Sequence, residues 1–173
     1  MLSHNFEEIY QLYSDKVYGY IYLLVRQKDI AEDLTQETFI KAYRYLNQFK
    51  GESSIYTWLI KIARNTVYDF FRRKKLVSLL SFKKEPITEE TPQEILLKGE
   101  EVRRLYETIM RMKTEYRDVL ILRKVKELSI KETAEILDWD EVKVKNTTSR
   151  AMQSLKKLLT DKEGGLYERF SKN

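Results

Sequence analysis

The chain has 173 residues, with 32 Lys and Arg against 27 Asp and Glu and a formal net charge of +5, a mild bias toward a polyanionic partner such as nucleic acid. It contains no cysteine and one histidine, which excludes disulfide bonds and thiolate zinc sites and leaves little material for nucleophilic or metal chemistry. Five glycines, two prolines and 34% charged residues favour an all-α fold.

The N-terminal segment predicts one long helix over residues 5–27, because apolar and aromatic side chains recur there at three- and four-residue spacing. Its tyrosines are expected in the core and at its rim. Neither a signal-peptide layout nor a run of roughly twenty apolar residues is present, so we expect a soluble, cytoplasmic protein without membrane insertion. A second helix is predicted to begin at Asp29, with Asp29 as its N-cap and Glu32 three residues on.

The second helix separates into two faces when its residues are placed about 100° apart. The core side is predicted to hold Ala31, Leu34, Phe39, Ala42, Tyr43 and Leu46. The outward side carries Asp33, Glu37, Ile40 and Arg44, with Gln36 on its flank. Carboxylates, an amide and an exposed isoleucine suit a protein partner, and a solvated face with one isolated apolar residue is the alternative.

A third helix is predicted after a break at residues 50–53, with Leu59, Ala63, Thr66, Val67 and Phe70 on its core side. The other face carries Trp58, Lys61, Asn65, Tyr68, Asp69 and Arg72, followed by the basic run Arg73, Lys74 and Lys75. Cations that neutralise phosphates, aromatics that stack on bases and an amide that reads a base edge suit single-stranded nucleic acid. The alternative is a tryptophan at the edge of the core beside a solvated helix end.

Residues 29–75 carry a family resemblance. EDLTQETFIKAYRYL, then FKGESSIYTWLIKIARN, then a basic helix end, resemble conserved region 2 of the bacterial RNA polymerase sigma factors of the extracytoplasmic-function (ECF) group in the sigma-70 family. The resemblance implies a compact helical domain over residues 1–75.

Residues 76–98 break the helical pattern and contain both prolines, which predicts a flexible interdomain linker. Thr91, Pro92 and Glu94 are predicted to form a capping box at its end. A second helical domain is predicted over residues 99–160, with residues 161–173 as a C-terminal tail. Residues 1–75 and 99–173 each carry more Lys and Arg than Asp and Glu, whereas the linker is slightly acidic.

A helix-turn-helix is predicted within the second domain. Ser129 and Glu132 form a capping box for its first helix, and Asp140 caps its second helix after the turn at residues 138–140. The second helix is predicted to bury Val144, Thr148, Ala151, Leu155 and Leu158. Its opposite face presents Lys143, Asn146, Arg150, Gln153 and Lys157, side chains that bind bases and phosphates in a major groove.

This second block resembles region 4 of the same sigma factors, which recognises the minus-thirty-five promoter element. Two departures bear on the promoter sequence that is read. The family often has a Pro-x-Gly-Thr turn before the recognition helix, where this chain has Asp140-Glu141-Val142-Lys143. A frequent arginine of the family motif is Thr147 here.

The resemblance implies three sets of site residues and no catalytic or metal-binding residue. The set that docks on core RNA polymerase is Asp33, Gln36, Glu37, Ile40 and Arg44. The set that melts and reads the minus-ten element is Lys50, Ser53, Ser54, Tyr56, Trp58, Lys61, Asn65, Tyr68, Asp69, Arg72 and Arg73, with residues 50–56 as the loop that accepts a flipped base. The set that reads the minus-thirty-five element is Lys143, Lys145, Asn146, Thr147, Ser149, Arg150, Gln153 and Lys157.

The expected partners are core RNA polymerase, through its β′ clamp helices and β flap, promoter DNA and a cognate anti-sigma factor, and no cofactor is expected. One alternative is a helix-turn-helix transcription regulator that acts without polymerase and uses residues 1–75 for ligand sensing or dimerisation. That alternative leaves the polar face of the third helix unexplained. A small helical enzyme is the other alternative, but the chain lacks the residues for a nucleophile–base pair or a metal cluster.

Overall fold

The computed structural model describes residues 5–81 and 93–160, and in these ranges the regular structure is helical, without β-strands. The chain divides into two compact units, Met1–Glu90 and Thr91–Asn173. The first contains α1 (Phe6–Val25), α2 (Lys28–Tyr45) and α3 (Ile55–Ser81). The second contains α4 (Gln93–Leu96), α5 (Glu100–Arg111), α6 (Thr114–Leu120), α7 (Ile130–Leu137) and α8 (Glu141–Thr160). Of the helices described, none has the length and apolar character needed to cross a membrane.

The first unit is a three-helix bundle. Asn5 caps α1 by accepting a hydrogen bond from the Glu7 N–H at 3.2 Å, and the helix ends where Arg26 adopts a left-handed φ of 57°. The three helices bury a shared apolar core: Val17, Tyr20 and Ile21 from α1, Ala31, Leu34 and Phe39 from α2, and Leu59, Ile60 and Val67 from α3.

The predicted start of α2 was wrong. The helix begins at Lys28, its N-cap is Gln27 without a side-chain cap, and the Ala31 N–H already donates to the Gln27 carbonyl at 2.9 Å. Asp29 therefore lies within the first turn of α2 and cannot be its N-cap. Tyr43 was also misplaced, because it is 66% exposed and packs edge-on against Phe6 with ring centroids 5.1 Å apart.

The third helix extends past the predicted linker boundary after Lys75 and ends at Ser81. The sequence LVSLLS contains no glycine or proline, so nothing in it ends a helix that is already formed. Residues 82–92 lie outside the described range, and the predicted cap by Thr91 and Pro92 lies there too.

The second unit is built around α6 and α8. Leu105 and Ile109 of α5, Val119 and Leu120 of α6, and Val144, Ala151 and Leu155 of α8 are buried together. A π-helical turn over Ile121–Val125 follows α6. Two residues after it, Glu127 takes a left-handed φ of 55°. Leu158, predicted to be buried, is 51% exposed, and Leu159 is buried at 4%. A helix period of about 3.6 residues brings Leu159, four residues after Leu155, to the core more closely than Leu158.

The helix-turn-helix forms as predicted. The Ser129 Oγ accepts from the Glu132 N–H at 3.1 Å, and the Glu132 Oε2 accepts from the Ser129 N–H at 2.8 Å, which is the reciprocal capping box. Asp138 ends α7 with a left-handed φ of 55°. The Asp140 Oδ1 then accepts from the Lys143 N–H at 2.6 Å and starts α8.

Replacement of Ser129 by alanine is expected to lower the free energy of unfolding of the second unit by about 1 kcal/mol, because the Glu132 N–H at the start of α7 loses the Ser129 hydroxyl as its acceptor. Urea denaturation followed by circular dichroism measures the change. Ser149→Ala is the matched control, since Ser149 is exposed and lies in the interior of α8, away from its capping positions. Equal midpoints for both variants would contradict a stabilising role for the capping box.

Candidate partner and nucleic-acid interfaces

The outward face of α2 lies where the sequence predicts it. Asp33, Gln36 and Arg44 are exposed, and Ile40 is exposed at 53%. On the opposite side, the Thr35 and Thr38 hydroxyls are buried and donate to the carbonyls of Ala31 and Leu34 at 2.6 and 2.7 Å. The helix thus presents a mixed acidic, amide and apolar surface that fits docking against another protein.

Glu37 differs from the other residues of this face because it also bridges α2 and α3. Its Oε1 lies 2.8 Å from the Lys41 ammonium, and its Oε2 lies 3.6 Å from the Arg73 guanidinium. Lys41 in turn donates to the Thr66 hydroxyl at 3.1 Å. The sequence assigned Glu37 and Arg73 to two separate sites, and the structure brings them together.

The loop before α3 is organised by its own side chains. Gly51 has a φ of 71°, a left-handed conformation that suits glycine. The Ser54 Oγ accepts from the Thr57 N–H at 3.0 Å and shares a 2.8 Å hydrogen bond with the Thr57 hydroxyl. Ser54 therefore has a structural role as the cap of α3. Lys50 and Ser53 lie in the loop, and their contact with DNA stays a prediction.

Tyr56 contacts α1 in a way that the sequence did not predict. Its ring stacks on Tyr13, with centroids 5.9 Å apart and planes 21° apart. The Lys16 ammonium lies 5.6 Å from the Tyr13 centroid and 5.9 Å from the Tyr56 centroid. Tyr13 and Lys16 are one turn apart on α1, and this spacing was the available signal. The result is an aromatic pair with a cation beside the loop.

The polar face of α3 carries its predicted residues along one side. Trp58 is partly buried against Phe49, with ring centroids 5.2 Å apart, and Lys61 is half-buried one turn later. Asn65 is exposed, and Tyr68 is partly covered by the Arg64 guanidinium at 4.7 Å. Asp69 forms an ion pair with Arg72. This face therefore offers aromatic edges, an amide and cations together.

The exposed face of α8 carries Lys143, Lys145, Asn146, Ser149, Arg150, Gln153 and Lys157. Thr147, assigned to this set by resemblance, is only 9% exposed, so the structure gives it little surface for a base contact. Its position packs toward the core because it lies three residues after the buried Val144.

A cavity of about 360 Å³ opens at the start of this face. It is lined by Lys113, Glu115, Tyr116, Asp140, Val142, Lys143, Asn146, Thr147 and Arg150. Sequence reasoning missed Lys113, Tyr116 and Val142. The Lys113 ammonium lies 4.0 Å from the Tyr116 ring centroid, and the Lys143 ammonium lies 4.1 Å from that of Trp139. Cations from α8 and from the segment before α6 thus surround one groove.

Comparison with known proteins agrees with this arrangement. Residues 9–77 match the family model for Sigma-70 region 2, and residues 102–155 match that for Sigma-70, region 4. The chain is 36% identical over 160 residues to RNA polymerase sigma factor YlaC of Bacillus subtilis (strain 168), covering 90% of this chain and 92% of that protein. It is 31% identical over 163 residues to ECF RNA polymerase sigma factor SigX of the same organism, covering 90% and 84%.

Two solved structures share this fold. The sigma factor RpoE in complex with the anti-sigma factor NepR from Bartonella quintana superposes with a TM-score of 0.71 at 21% identity, over 92% of this chain and 99% of that chain. CnrH in complex with the cytosolic domain of CnrY gives a TM-score of 0.68 at 20% identity, over 91% and 89%.

Two helical units that match region 2 and region 4 in chain order define a transcription initiation factor of the sigma-70 class. Within that class, this chain belongs to the ECF RNA polymerase sigma factors. The resemblance and the all-α, two-domain fold predicted from the sequence are therefore confirmed.

Proposed function

We propose that this chain is an alternative sigma factor that binds core RNA polymerase and directs promoter recognition, DNA melting and transcription initiation at a specific regulon. The observation that carries the proposal is the pair of polar faces on α3 and α8. Each combines cations with base-binding side chains, and they lie in the units that match regions 2 and 4. Residues 1–75 would act on polymerase and the minus-ten element, and residues 99–160 on the minus-thirty-five element.

Core RNA polymerase is the proposed partner of the α2 face. Exposed Asp33, Gln36 and Ile40 would dock on the β′ clamp helices, and the second unit would contact the β flap. Core polymerase works in the cytoplasm, so that is the proposed location of this chain. The chain itself needs no catalytic group for this role, because polymerase performs the chemistry.

Melting of the minus-ten element is assigned to the α3 face and the preceding loop. Extraction of a base costs on the order of a few kcal/mol, which stacking at roughly 1–3 kcal/mol per base offsets. Trp58 supplies an aromatic edge on α3, and Tyr56 with Lys16 supplies an aromatic ring and a cation beside the loop. A net charge of +5 neutralises few phosphates, so the isolated chain is expected to bind promoter DNA weakly.

A cognate anti-sigma factor is the proposed inhibitor. RpoE and CnrH, which share this fold, were solved in complex with the anti-sigma factor NepR and with the cytosolic domain of CnrY. We extend that mode of control to this chain on the basis of the shared fold and family.

Run-off transcription tests the proposed function. Purified core RNA polymerase is incubated with sheared DNA from the organism that encodes this chain, with and without the full chain. Discrete new transcripts, which also give the promoter sequence, are the expected result. Absence of new transcripts and of co-purification with core, from a folded helical protein, would overturn the proposal. Binding to specific DNA without polymerase would instead support a helix-turn-helix regulator.

Replacement of Arg150 by alanine is expected to weaken holoenzyme binding at the upstream element by about 1–3 kcal/mol, because the guanidinium is exposed on the α8 face and can bind a guanine through two hydrogen bonds. Electrophoretic mobility shifts on the promoter and on a scrambled upstream element measure the change. Arg150→Lys is the matched control, since it keeps the charge and loses the fork geometry. Equal loss on both DNAs would reduce Arg150 to a phosphate contact.

A further inference from the structure

Val142 is an apolar side chain in a polar groove. It is 64% exposed at the second position of α8 and lines the cavity that also contains Lys143, Asn146 and Arg150. It lies in the Asp140-Glu141-Val142-Lys143 segment, at the position where the resembled turn pattern has glycine. This chain therefore adds a branched hydrocarbon side chain where that pattern has none.

The helical phase places Val142 on the DNA-reading face. At about 100° per residue, Asn146, Arg150 and Gln153 follow Val142 within a sector of roughly 80°. Asn146, Arg150 and Gln153 are exposed, and the buried Val144 and Ala151 lie on the other side of the helix. Val142 is thus the first residue of the same stripe that is assigned to base contacts.

The neighbouring side chains leave Val142 available at the mouth of the groove. The Lys143 ammonium rests over the Trp139 ring at 4.1 Å, and Asp140 is engaged in capping α8 through the Lys143 N–H. The remaining acid of the cavity, Glu115, forms an ion pair with Lys113 at 3.6 Å. The first residues of a recognition helix are those that approach base edges in the major groove.

The chemical groups on the major-groove edges of the bases determine which base Val142 can contact. The thymine 5-methyl group is the apolar group on the major-groove edges of the four base pairs, whose other groups there are hydrogen-bond donors and acceptors. An isopropyl group placed against a donor or acceptor would leave that group desolvated without a partner. We propose that Val142 contacts the 5-methyl group of a thymine in the minus-thirty-five element and so sets specificity at that position. The inference rests on the proposed function.

The test compares thymine with deoxyuridine, which lacks the 5-methyl group and keeps the same hydrogen-bonding edge. Synthetic promoter duplexes, based on the sequence from the run-off experiment, carry deoxyuridine at one thymine of the upstream element at a time. Holoenzyme containing the full wild-type chain is expected to bind one of these duplexes about fourfold more weakly, the change that corresponds to one methyl group removed from apolar contact. Holoenzyme with Val142→Ala is expected to show a smaller preference for thymine over deoxyuridine than the wild-type holoenzyme, because only the alanine methyl group remains for the contact.

Leu158→Ala is the matched control, because Leu158 is an exposed apolar residue at the opposite end of α8 and about 160° around the helix from Val142. It is expected to keep the wild-type preference for thymine. If wild-type holoenzyme starts transcripts but is insensitive to deoxyuridine throughout the element, or Val142→Ala keeps the wild-type preference, the inference fails and the proposed function stands. If the wild-type chain starts no transcripts, both fail.

Discussion

Replacement of Asp33 by lysine is expected to weaken the binding of core RNA polymerase on the order of a hundredfold or more. Asp33 is exposed on the outward face of α2, and a cation there would meet the surface that is proposed to receive a carboxylate, a like-charge contact that costs several kcal/mol. Because the side chain is exposed, the free energy of unfolding is expected to change by about 0.5 kcal/mol or less. Fluorescence titration of labelled chain with core polymerase measures the affinity, and circular dichroism measures the stability.

Glu32→Lys is the control for this experiment. Glu32 is the neighbouring exposed acid on α2, pairs with Lys28 at 3.8 Å and is not part of the proposed docking face. Glu37 is a poorer choice for the test, because its replacement would also break the ion pairs with Lys41 and Arg73. Wild-type polymerase affinity for the Asp33 variant would exclude Asp33 from the docking face.

Local sequence patterns predicted the helices correctly wherever one side of a helix is buried. Alternation at three- and four-residue spacing predicted the core of α3 through Leu59, Ala63 and Val67, and local cap chemistry predicted Ser129 and Asp140. The errors occurred at helix ends, where the local signal is weak. The start of α2 is set by the turn after α1, and α3 continues past Lys75 because no helix-breaking residue follows it there.

The interfaces could be predicted as stripes along single helices but not as contacts between helices. Asn65 and Arg150 are exposed on their helices, as the periodicity indicates. Two contacts depend on how α1, α2 and α3 pack: the stacking of Tyr13 on Tyr56 and the Glu37–Arg73 ion pair. The spacing of residues along one helix carries no information about such packing. The same reason explains the omission of Lys113, which joins the α8 groove from the segment before α6.

Replacement of Leu155 by alanine is expected to lower the free energy of unfolding of the second unit by about 2–5 kcal/mol. Leu155 is 0% exposed and packs within the core formed by α5, α6 and α8, so truncation removes apolar contacts and leaves a cavity. A loss of this size is a large share of the stability of a small helical domain. Urea denaturation of the full chain, followed by circular dichroism at several protein concentrations, measures it.

Leu158→Ala provides the contrast, because Leu158 is 51% exposed and its truncation is expected to cost about 0.5 kcal/mol or less. The comparison also tests the rotation of α8 about its axis. If Leu158→Ala were as damaging as Leu155→Ala, the buried side of α8 would be centred between these two leucines, about 30° away from its position in the structure. Val142 and Arg150 would then rotate relative to the groove, and the assignment of the DNA-reading face would change with them. The stability difference between two leucines on α8 thus decides which of its residues can contact a promoter.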